Sequence, residues 1–387
     1  MAAPTEAPRR RILYTLSLGH LVVDLNSGDV AALLPLIEVP FHLSVAALTL
    51  LVALANAVSS IIQPLFGLAI DRRDHPWIMP AGLVIASVGT MLVGQMPTYG
   101  LIVGAVCLAA VGVAMYHPEA SRVAYLAAGP MRASAMSIFS AGGNVGFAVG
   151  PLFMAGSAAL LGLSGTALFL IPGALALILF AVVRPARVPK GGAGPGRLHL
   201  EGENRIGPVV LVMLVVIFRS TLIFGTMSLV PLFLVSRFHM DPHLASALDF
   251  LFLFTGALGT VLGGPFSDRH GRRSHLLVAF VLALPVAFVM PRLPLPGLLA
   301  AMAVMGFLVV STFATTVTLT QELLPKSVGV ASALAVGLGV GIGGLLVLLL
   351  GHIADHAGIF PVLSFFFVFP ALCIACTLPL SRRALSP

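Results

Sequence analysis

Twelve mainly apolar segments run along the chain, and short polar or glycine- and proline-containing turns separate them. They lie at 11–37, 45–70, 77–95, 99–124, 132–161, 163–184, 207–236, 243–267, 274–293, 296–321, 327–353 and 359–380. About 20 apolar residues suffice for an α-helix to cross the hydrocarbon core of a bilayer. The pattern therefore predicts an all-α integral membrane protein with twelve transmembrane helices.

A polar stretch divides these segments into two groups of six. Residues 185–206 are rich in proline, glycine and charge, which predicts a flexible cytoplasmic linker. We therefore expect an N-terminal six-helix bundle over 1–184 and a C-terminal six-helix bundle over 207–387.

A motif at the end of the second segment recurs at the end of the eighth. The first copy reads Gly67-Leu-Ala-Ile-Asp71-Arg72-Arg73, and the second runs from Gly264 through Asp268 to Arg273, with the two glycines 197 residues apart. The repeat indicates a duplicated unit and predicts two pseudo-symmetric bundles around a central cavity, a known transporter plan. We predict a cytoplasmic gate formed by Gly67, Asp71, Arg72, Gly264, Asp268 and Arg272.

Composition supports the membrane prediction and limits the partners. Hydrophobic residues make up 58% of the chain and charged residues only 9%, whereas soluble domains average roughly 25% charged residues. The net charge is +7, but 18 of the 21 Lys and Arg lie at segment ends that a cytoplasmic N-terminus would place inside. This follows the positive-inside rule, so we expect both termini to be cytoplasmic and no nucleic-acid partner.

Two charged residues are expected near the middle of the membrane, where burying a charge has a high free-energy cost. Asp24 shares one face of the first segment with Ser17, His20 and Ser27. Adding the repeat offset of 196 to Asp24 reaches the neighbour of Arg219 in the seventh segment. We expect both to face the cavity, Asp24 as a proton carrier and Arg219 as an anion contact. The alternative is a structural ion pair.

The fourth segment carries a second polar cluster, His117-Pro118-Glu119-Ala-Ser-Arg122. Glu119 and Arg122 can pair along one helix face, and His117 can change charge near neutral pH. The cluster can bind an anion and exchange a proton. The alternative is a kinked helix end with a Glu–Arg bridge that faces the cytoplasm.

Other polar positions are less specific. Threonines precede Glu322 in the tenth segment and either line a hydrophilic path or bond to their own helix. In the fifth segment, Gly146, Gly150 and Pro151 form a packing and hinge element. The chain has no phosphate-binding Gly-Lys-Ser/Thr loop and no metal-ligand spacing, so we expect neither ATP hydrolysis, nor a metal, nor enzymatic activity.

These residues together resemble the major facilitator superfamily over nearly the whole chain, and more closely the fosmidomycin resistance protein family. The matching stretches are His20-Leu-x-x-Asp24, Gln63-Pro64, Tyr116 to Arg122, Ser137 to Asn144, Gly263-Gly-Pro265, Gln321 to Pro325, Gly341 to Gly344 and Gly351 to Asp355. Gly146-x-x-x-Gly150-Pro151 is similar to a signature of antiporters. The first loop copy departs from the superfamily pattern because it lacks the Gly-Arg-Arg ending. The seventh segment is mostly aliphatic, where the family leads us to expect more tyrosines.

The resemblance implies a monomeric exporter in the bacterial inner membrane that uses the proton gradient and no cofactor. Its partners would be protons, the lipid bilayer and a small anionic drug-like substrate such as a phosphonate. On this reading, Asp24, His117 and Glu119 couple protons. The substrate contacts are His20, Asp24, His117, Arg122, Arg219 and Glu322. The alternatives are an importer or uniporter of an organic anion and a non-transporting receptor or scaffold.

Overall fold

The computed structural model describes residues 9–28, 30–38, 40–43, 45–73, 75–185, 202–240, 245 and 248–380. Within these ranges the chain is almost entirely helical and contains no β-strand. Nine helical stretches of this described part are long and apolar enough to cross a membrane, and Ile78–Val93 is a shorter apolar helix. The predicted all-α membrane fold is confirmed. Most of the predicted linker lies outside the described residues.

In the described part of residues 9–185 the structure has seven helical ranges. They are α1 Arg10–Gly28, α2 Val30–Glu38, α3 Val45–Arg72, α4 Ile78–Val93, α5 Tyr99–Ala127, α6 Arg132–Leu161 and α7 Leu170–Val183. The first predicted segment is helical on both sides of residue 29, which lies outside the described residues, and the sixth begins as a 3₁₀ helix, Gly162–Phe169. Gly162 has a φ of +60°, which ends the preceding helix because only glycine adopts this backbone readily.

Eight α-helices follow in the described part of residues 202–380. They are α8 Ile206–Phe238, α9 Asp249–His270, α10 Arg272–Val289, α11 Leu295–Leu323, α12 Val328–Ala333, α13 Gly339–Ala357, α14 Ile359–Ser364 and α15 Val368–Thr377. A π-helical turn, Leu334–Leu338, connects α12 to α13. Such wider turns occur mostly as short interruptions of α-helices, often at functional positions.

The chain folds as two compact units that exchange short segments. The first comprises the described residues of Met1–Pro130, Ile138–Leu200 and Lys326–Gly337. The second comprises those of Met131–Ser137, Glu201–Pro325 and Leu338–Pro387. Each unit thus contains one short piece from the opposite half of the sequence. The start of α6 belongs to the second unit, and α12 belongs to the first.

Each unit has its own apolar core. In the first, Leu25, Ile37 and Ile102 are among the buried residues that hold α1, α2 and α5 together. In the second, Phe252 and Met302 join α9 to α11. Large apolar side chains also remain exposed on many helices, which is typical of surfaces that hydrocarbon covers. Examples are Leu152, Leu160, Val182, Leu345 and Leu348.

Candidate functional site

Three ionisable side chains converge inside the first unit. His20 and Asp24 lie four residues apart on α1, and His117 reaches them from α5. One carboxylate oxygen of Asp24 lies 3.2 Å from His20 Nε2, and the other lies 3.1 Å from His117 Nε2. The two Nε2 atoms are 3.1 Å apart. We call this group the His–Asp–His cluster.

The backbone fixes the orientation of both imidazole rings. His20 Nδ1 lies 2.9 Å from the carbonyl oxygen of Phe139, and His117 Nδ1 lies 3.0 Å from that of Val113. A carbonyl oxygen only accepts hydrogen bonds, so each Nδ1 carries hydrogen and donates it. In the neutral ring Nε2 is then an acceptor that faces another acceptor, the carboxylate. The arrangement needs at least one shared proton or a cation between these atoms.

Neighbouring residues hold the cluster in place. The Phe139 ring stacks on His20 with centroids 4.2 Å apart. Tyr116 donates a hydrogen bond to the carbonyl oxygen of Leu16 at 2.7 Å, which joins α5 to α1. A Cβ added to Gly143 would lie 2.5 Å from His20 Nε2 and 2.6 Å from the Asp24 carboxylate. Glycine is therefore required on α6 at this point, which the sequence alone did not reveal.

Glu119 and Arg122 form a separate ion pair on α5. Arg122 donates through two guanidinium nitrogens to the two carboxylate oxygens, each at 2.7 Å. Both side chains are almost fully buried. The predicted fourth-segment cluster is therefore divided, since His117 points to α1 while Glu119 and Arg122 satisfy each other. Their roles in proton coupling and substrate binding stay predictions.

The first copy of the repeated motif places its acid against a helix start. Asp71 accepts hydrogen bonds from the backbone N–H groups of Gly329 and Val330, both at 2.8 Å, within the first unit. A carboxylate there offsets the partial positive charge of the helix N-terminus. A Cβ on Gly67 would lie 2.6 Å from the Gly329 carbonyl oxygen, so glycine allows α3 to approach closely. Arg72 is exposed.

The second copy makes the same kind of contact inside the second unit. Asp268 accepts from the N–H groups of Ala133 and Ser134 at 3.1 and 2.8 Å, and from the Ser134 hydroxyl at 2.6 Å. Arg272 binds Asp268 at 2.6 Å and Glu322 at 2.9 Å. Glu322, predicted as a substrate contact, thus lies with the predicted gate residues. A Cβ on Gly264 would collide with Ser137 of the same unit.

Arg219 on α8 is a buried guanidinium with few polar contacts. Its side chain is 1% exposed. It donates to Thr316 Oγ1 at 3.0 Å and lies 5.0 Å from the centre of the Phe313 ring. Its Nε has no hydrogen-bond partner, and none of the ion pairs in the described part of the chain includes it. Within the described part of the chain its charge therefore has no carboxylate partner, and its role as an anion contact stays a prediction.

The threonines of α11 mostly bond to their own helix. Thr312, Thr316 and Thr320 donate to carbonyl oxygens three or four residues earlier. Thr315 instead contacts the buried His275 Nδ1 at 2.7 Å, and Ser311 contacts its Nε2 at 3.2 Å. The sequence prediction missed His275. The spacing of Ser311 and Thr315, four residues apart, was the available signal.

The glycine–proline signature lies along α6. A Cβ on Gly146 would collide with the Leu21 carbonyl oxygen, so this glycine allows α6 to pack closely on α1. Pro151 lies inside the same helix and Gly150 is buried. The contact explains the small residue at 146. The role of the motif in antiport stays a prediction.

Comparison with protein families finds one broad match. The family model described as Major Facilitator Superfamily matches residues 16–344 and 212–386. The chain is 31% identical over 354 residues to the fosmidomycin resistance protein of Escherichia coli K12, covering 90% of this chain and 87% of that protein. It is 30% identical over 382 residues to the uncharacterized MFS-type transporter YfnC of Bacillus subtilis 168, covering 96% and 93%.

Solved structures show the same fold at low sequence identity. The transporter FucP in its outward conformation superposes with a TM-score of 0.78 at 15% identity, covering 96% of this chain and 98% of FucP. The human organic anion transporter MFSD10 (TETRAN) gives 0.73 at 16% identity, covering 96% of this chain and all of that one. At these identities the likeness establishes architecture alone.

Proposed function

Because the chain belongs to the major facilitator superfamily, we propose that it exports a small anionic drug-like compound by proton antiport. Family membership makes it a multi-pass membrane transporter and not an enzyme, and transporters of this kind generally need no cofactor. The finer proposal is carried by one observation, the His–Asp–His cluster, in which three proton acceptors converge inside a membrane protein.

Proton coupling follows from the contacts of this cluster. With both Nδ1 hydrogens committed to backbone carbonyls, a proton taken up by the cluster is shared among the two Nε2 atoms and the Asp24 carboxylate. Losing it leaves three acceptors facing each other at 3.1–3.2 Å, an arrangement that electrostatics disfavours. The protonation state thereby favours one position of α5 relative to α1. In the proposed mechanism, this preference couples proton uptake to alternating access.

An anionic substrate is supported by the state of two arginines. Arg219 is buried and carries an unpartnered Nε, and burying an uncompensated charge is costly. An anionic group supplies the missing partner. Arg122 becomes available in a second way, because protonation of Glu119 would weaken their bidentate pair. We propose these two guanidinium groups as the substrate contacts.

The direction of transport and the substrate class are supported by the relative named a fosmidomycin resistance protein. Resistance through a transporter requires removal of the drug, so export of a phosphonate-like compound is the reading we propose. We further propose a monomer in the bacterial inner membrane with both termini in the cytoplasm, as the Lys and Arg distribution predicts. Asp71 and Asp268 would hold the cytoplasmic gate.

Reconstitution tests the proposal directly. Purified protein in liposomes with an internal pH-sensitive dye should move protons when fosmidomycin is added, and should move the drug against a proton gradient. Asp24→Asn should abolish both fluxes, while Asp355→Asn, at an exposed site on α13, should keep them. Drug uptake that runs with inward proton movement would favour the importer. Full activity of Asp24→Asn in folded protein would remove Asp24 from the mechanism.

A susceptibility panel supplies the substrate test in cells. Cells that produce the protein should resist fosmidomycin and related phosphonates but not neutral drugs of similar size. The gain in resistance should disappear with Asp24→Asn at equal protein level. Resistance to neutral compounds alone would contradict the anionic substrate and leave the transporter assignment in place.

A further inference from the structure

The His–Asp–His cluster has the composition of a metal site. Two imidazoles and one carboxylate each offer one ligand atom, and these atoms all lie within 4.8 Å of one another. Nitrogen-rich sets of this kind suit Zn²⁺ and neighbouring transition metals, whereas Mg²⁺ and Ca²⁺ prefer oxygen ligands. No metal-ligand spacing is visible in the sequence, because His117 is 97 residues from His20.

The distances fit a metal that would replace the shared proton. Ligand atoms bound at 2.0–2.1 Å in a tetrahedral site lie about 3.3 Å from each other. The Nε2–Nε2 distance is 3.1 Å, and each Nε2 lies 3.1 or 3.2 Å from a different oxygen of the Asp24 carboxylate. The carboxylate would therefore bind the ion through both oxygens, or turn so that one oxygen faces it.

The surroundings of the two rings are also those of metal-binding histidines. Such histidines usually donate the other ring N–H to a carbonyl or carboxylate, which fixes the orientation of the ring. Phe139 and Val113 provide these acceptors here. Among the described contacts of the three side chains, no Lys or Arg competes for the carboxylate.

The absence of a side chain at position 143 keeps the ligand atoms uncovered, because any Cβ there would press on His20 and Asp24. The Asp24 side chain is 18% exposed, while His20 and His117 are nearly buried. Three protein ligands with one open side are the arrangement of sites that bind water or an anion in the fourth position.

We propose that His20, Asp24 and His117 bind one transition-metal dication of the Zn²⁺ class, and that its binding inhibits transport. Inhibition rests on the proposed function, because one ion bound by residues of both α1 and α5 would fix these two helices against each other. Binding itself does not depend on that function. The two parts are therefore tested by separate measurements.

The exposed histidines of α13 must be replaced in every protein tested, so that they do not bind the added metal. His352 and His356 are four residues apart with ring centroids 4.6 Å apart, and both are exposed. Such a pair on a helix face can bind Zn²⁺ by itself. All proteins in the experiment therefore carry His352→Asn and His356→Asn and have no affinity tag.

Binding is measured by titrating Zn²⁺ into the purified protein in detergent at one fixed pH. The background protein should bind one ion per chain. Asp24→Asn, His117→Gln and Gly143→Ala should each weaken binding by about tenfold or more. Gly156→Ala is the matched control on α6, because a Cβ there meets nothing within 4 Å. Binding as tight in Asp24→Asn and His117→Gln as in the background would overturn the site.

Binding of Co²⁺ can be measured on the background protein itself, so this test does not depend on whether a variant folds. Co²⁺ bound to the background protein should show visible absorption bands of a four- or five-coordinate ion, and Zn²⁺ should remove them. A spectrum of hexaaqua Co²⁺ alone would contradict the proposal. In proteoliposomes, Zn²⁺ should stop flux at the concentration that fills the site. Binding with unchanged flux would overturn the inhibition, whereas absence of any flux would count against the proposed function alone.

Discussion

Arg122 and Arg219 show how different two buried arginines can be. Arg122 has both carboxylate oxygens of Glu119 at 2.7 Å, so its charge is compensated within one helix. Arg219 has a threonine hydroxyl and the face of an aromatic ring. Breaking a buried pair leaves an uncompensated charge and is strongly destabilising. The first arginine should therefore affect stability most, and the second should affect substrate binding most.

The Glu119–Arg122 pair can be tested by a double-mutant cycle. Glu119→Gln should destabilise the protein by about 3 to 5 kcal/mol, because Arg122 is left charged and buried. The double variant Glu119→Gln/Arg122→Met should recover most of this loss. Thermal unfolding in detergent measures the effect, and flux separates the roles. A stable double variant that still transports would make the pair purely structural.

Replacing Arg219 should affect transport much more than stability. Arg219→Gln should leave the unfolding midpoint unchanged or higher, since it removes a buried charge without a carboxylate partner among the described residues. It should reduce flux of an anionic substrate by at least about tenfold, the effect of losing roughly 1.4 kcal/mol of binding. Arg219→Lys should not restore it, because the planar fork of donors is lost.

The control for Arg219→Gln is Arg292→Gln, which replaces an exposed arginine that stacks on Phe288. That variant should keep both stability and flux. Undiminished flux in Arg219→Gln, measured at subsaturating substrate, would exclude a substrate contact.

At the scale of elements, the aspartate of each copy of the repeated motif binds the backbone N–H groups at the start of another helix. Asp71 binds the N–H groups at the start of α12, and Asp268 binds those at the start of α6. The contacts are equivalent although the flanking sequences differ. Among the described residues, the second copy adds an ion pair with its own arginine, Arg272, which binds both Asp268 and Glu322. The acid of the motif is thus its common part.

This difference predicts unequal effects of two matched substitutions. Asp71→Asn should cost about 0.5 to 2 kcal/mol of stability, the usual value of a lost helix cap. Asp268→Asn should cost more, because Arg272 also loses one of its two carboxylates. Unfolding midpoints in detergent measure both, and Asp355→Asn serves as the exposed control. Equal midpoints for Asp268→Asn and the control would show that the cap contributes nothing.

For the whole molecule, apolar length predicted the helices well, because hydrocarbon leaves little choice of structure for such segments. The observed α5, α6 and α11 begin within one residue of their predicted starts. The π turn at Leu334–Leu338 was not predicted, since apolar pattern alone does not encode it.

Contacts between residues that are far apart in the sequence were harder to predict. His20 and Asp24 share a face by spacing, but nothing in the sequence places His117 beside them. Glu322 was predicted as a substrate contact, and its ion pair with Arg272 was not predicted. The exchange of 131–137 and 326–337 between the two units is likewise a property of packing, not of local pattern.

The exchanged segments predict how the molecule responds to a cut in its linker. Residues 326–337 pack in the first unit, where Asp71 binds Gly329 and Val330. A protease site placed between Lys190 and Gly196 should therefore yield two fragments that still elute together in detergent and retain flux in liposomes. Asp71, Gly329 and Val330 lie outside the linker, so a cut there leaves these contacts in place. Adding Asp71→Asn should speed separation of the cut fragments, while Asp355→Asn should not. Fragments that separate at once without any substitution would show that the linker holds the protein together.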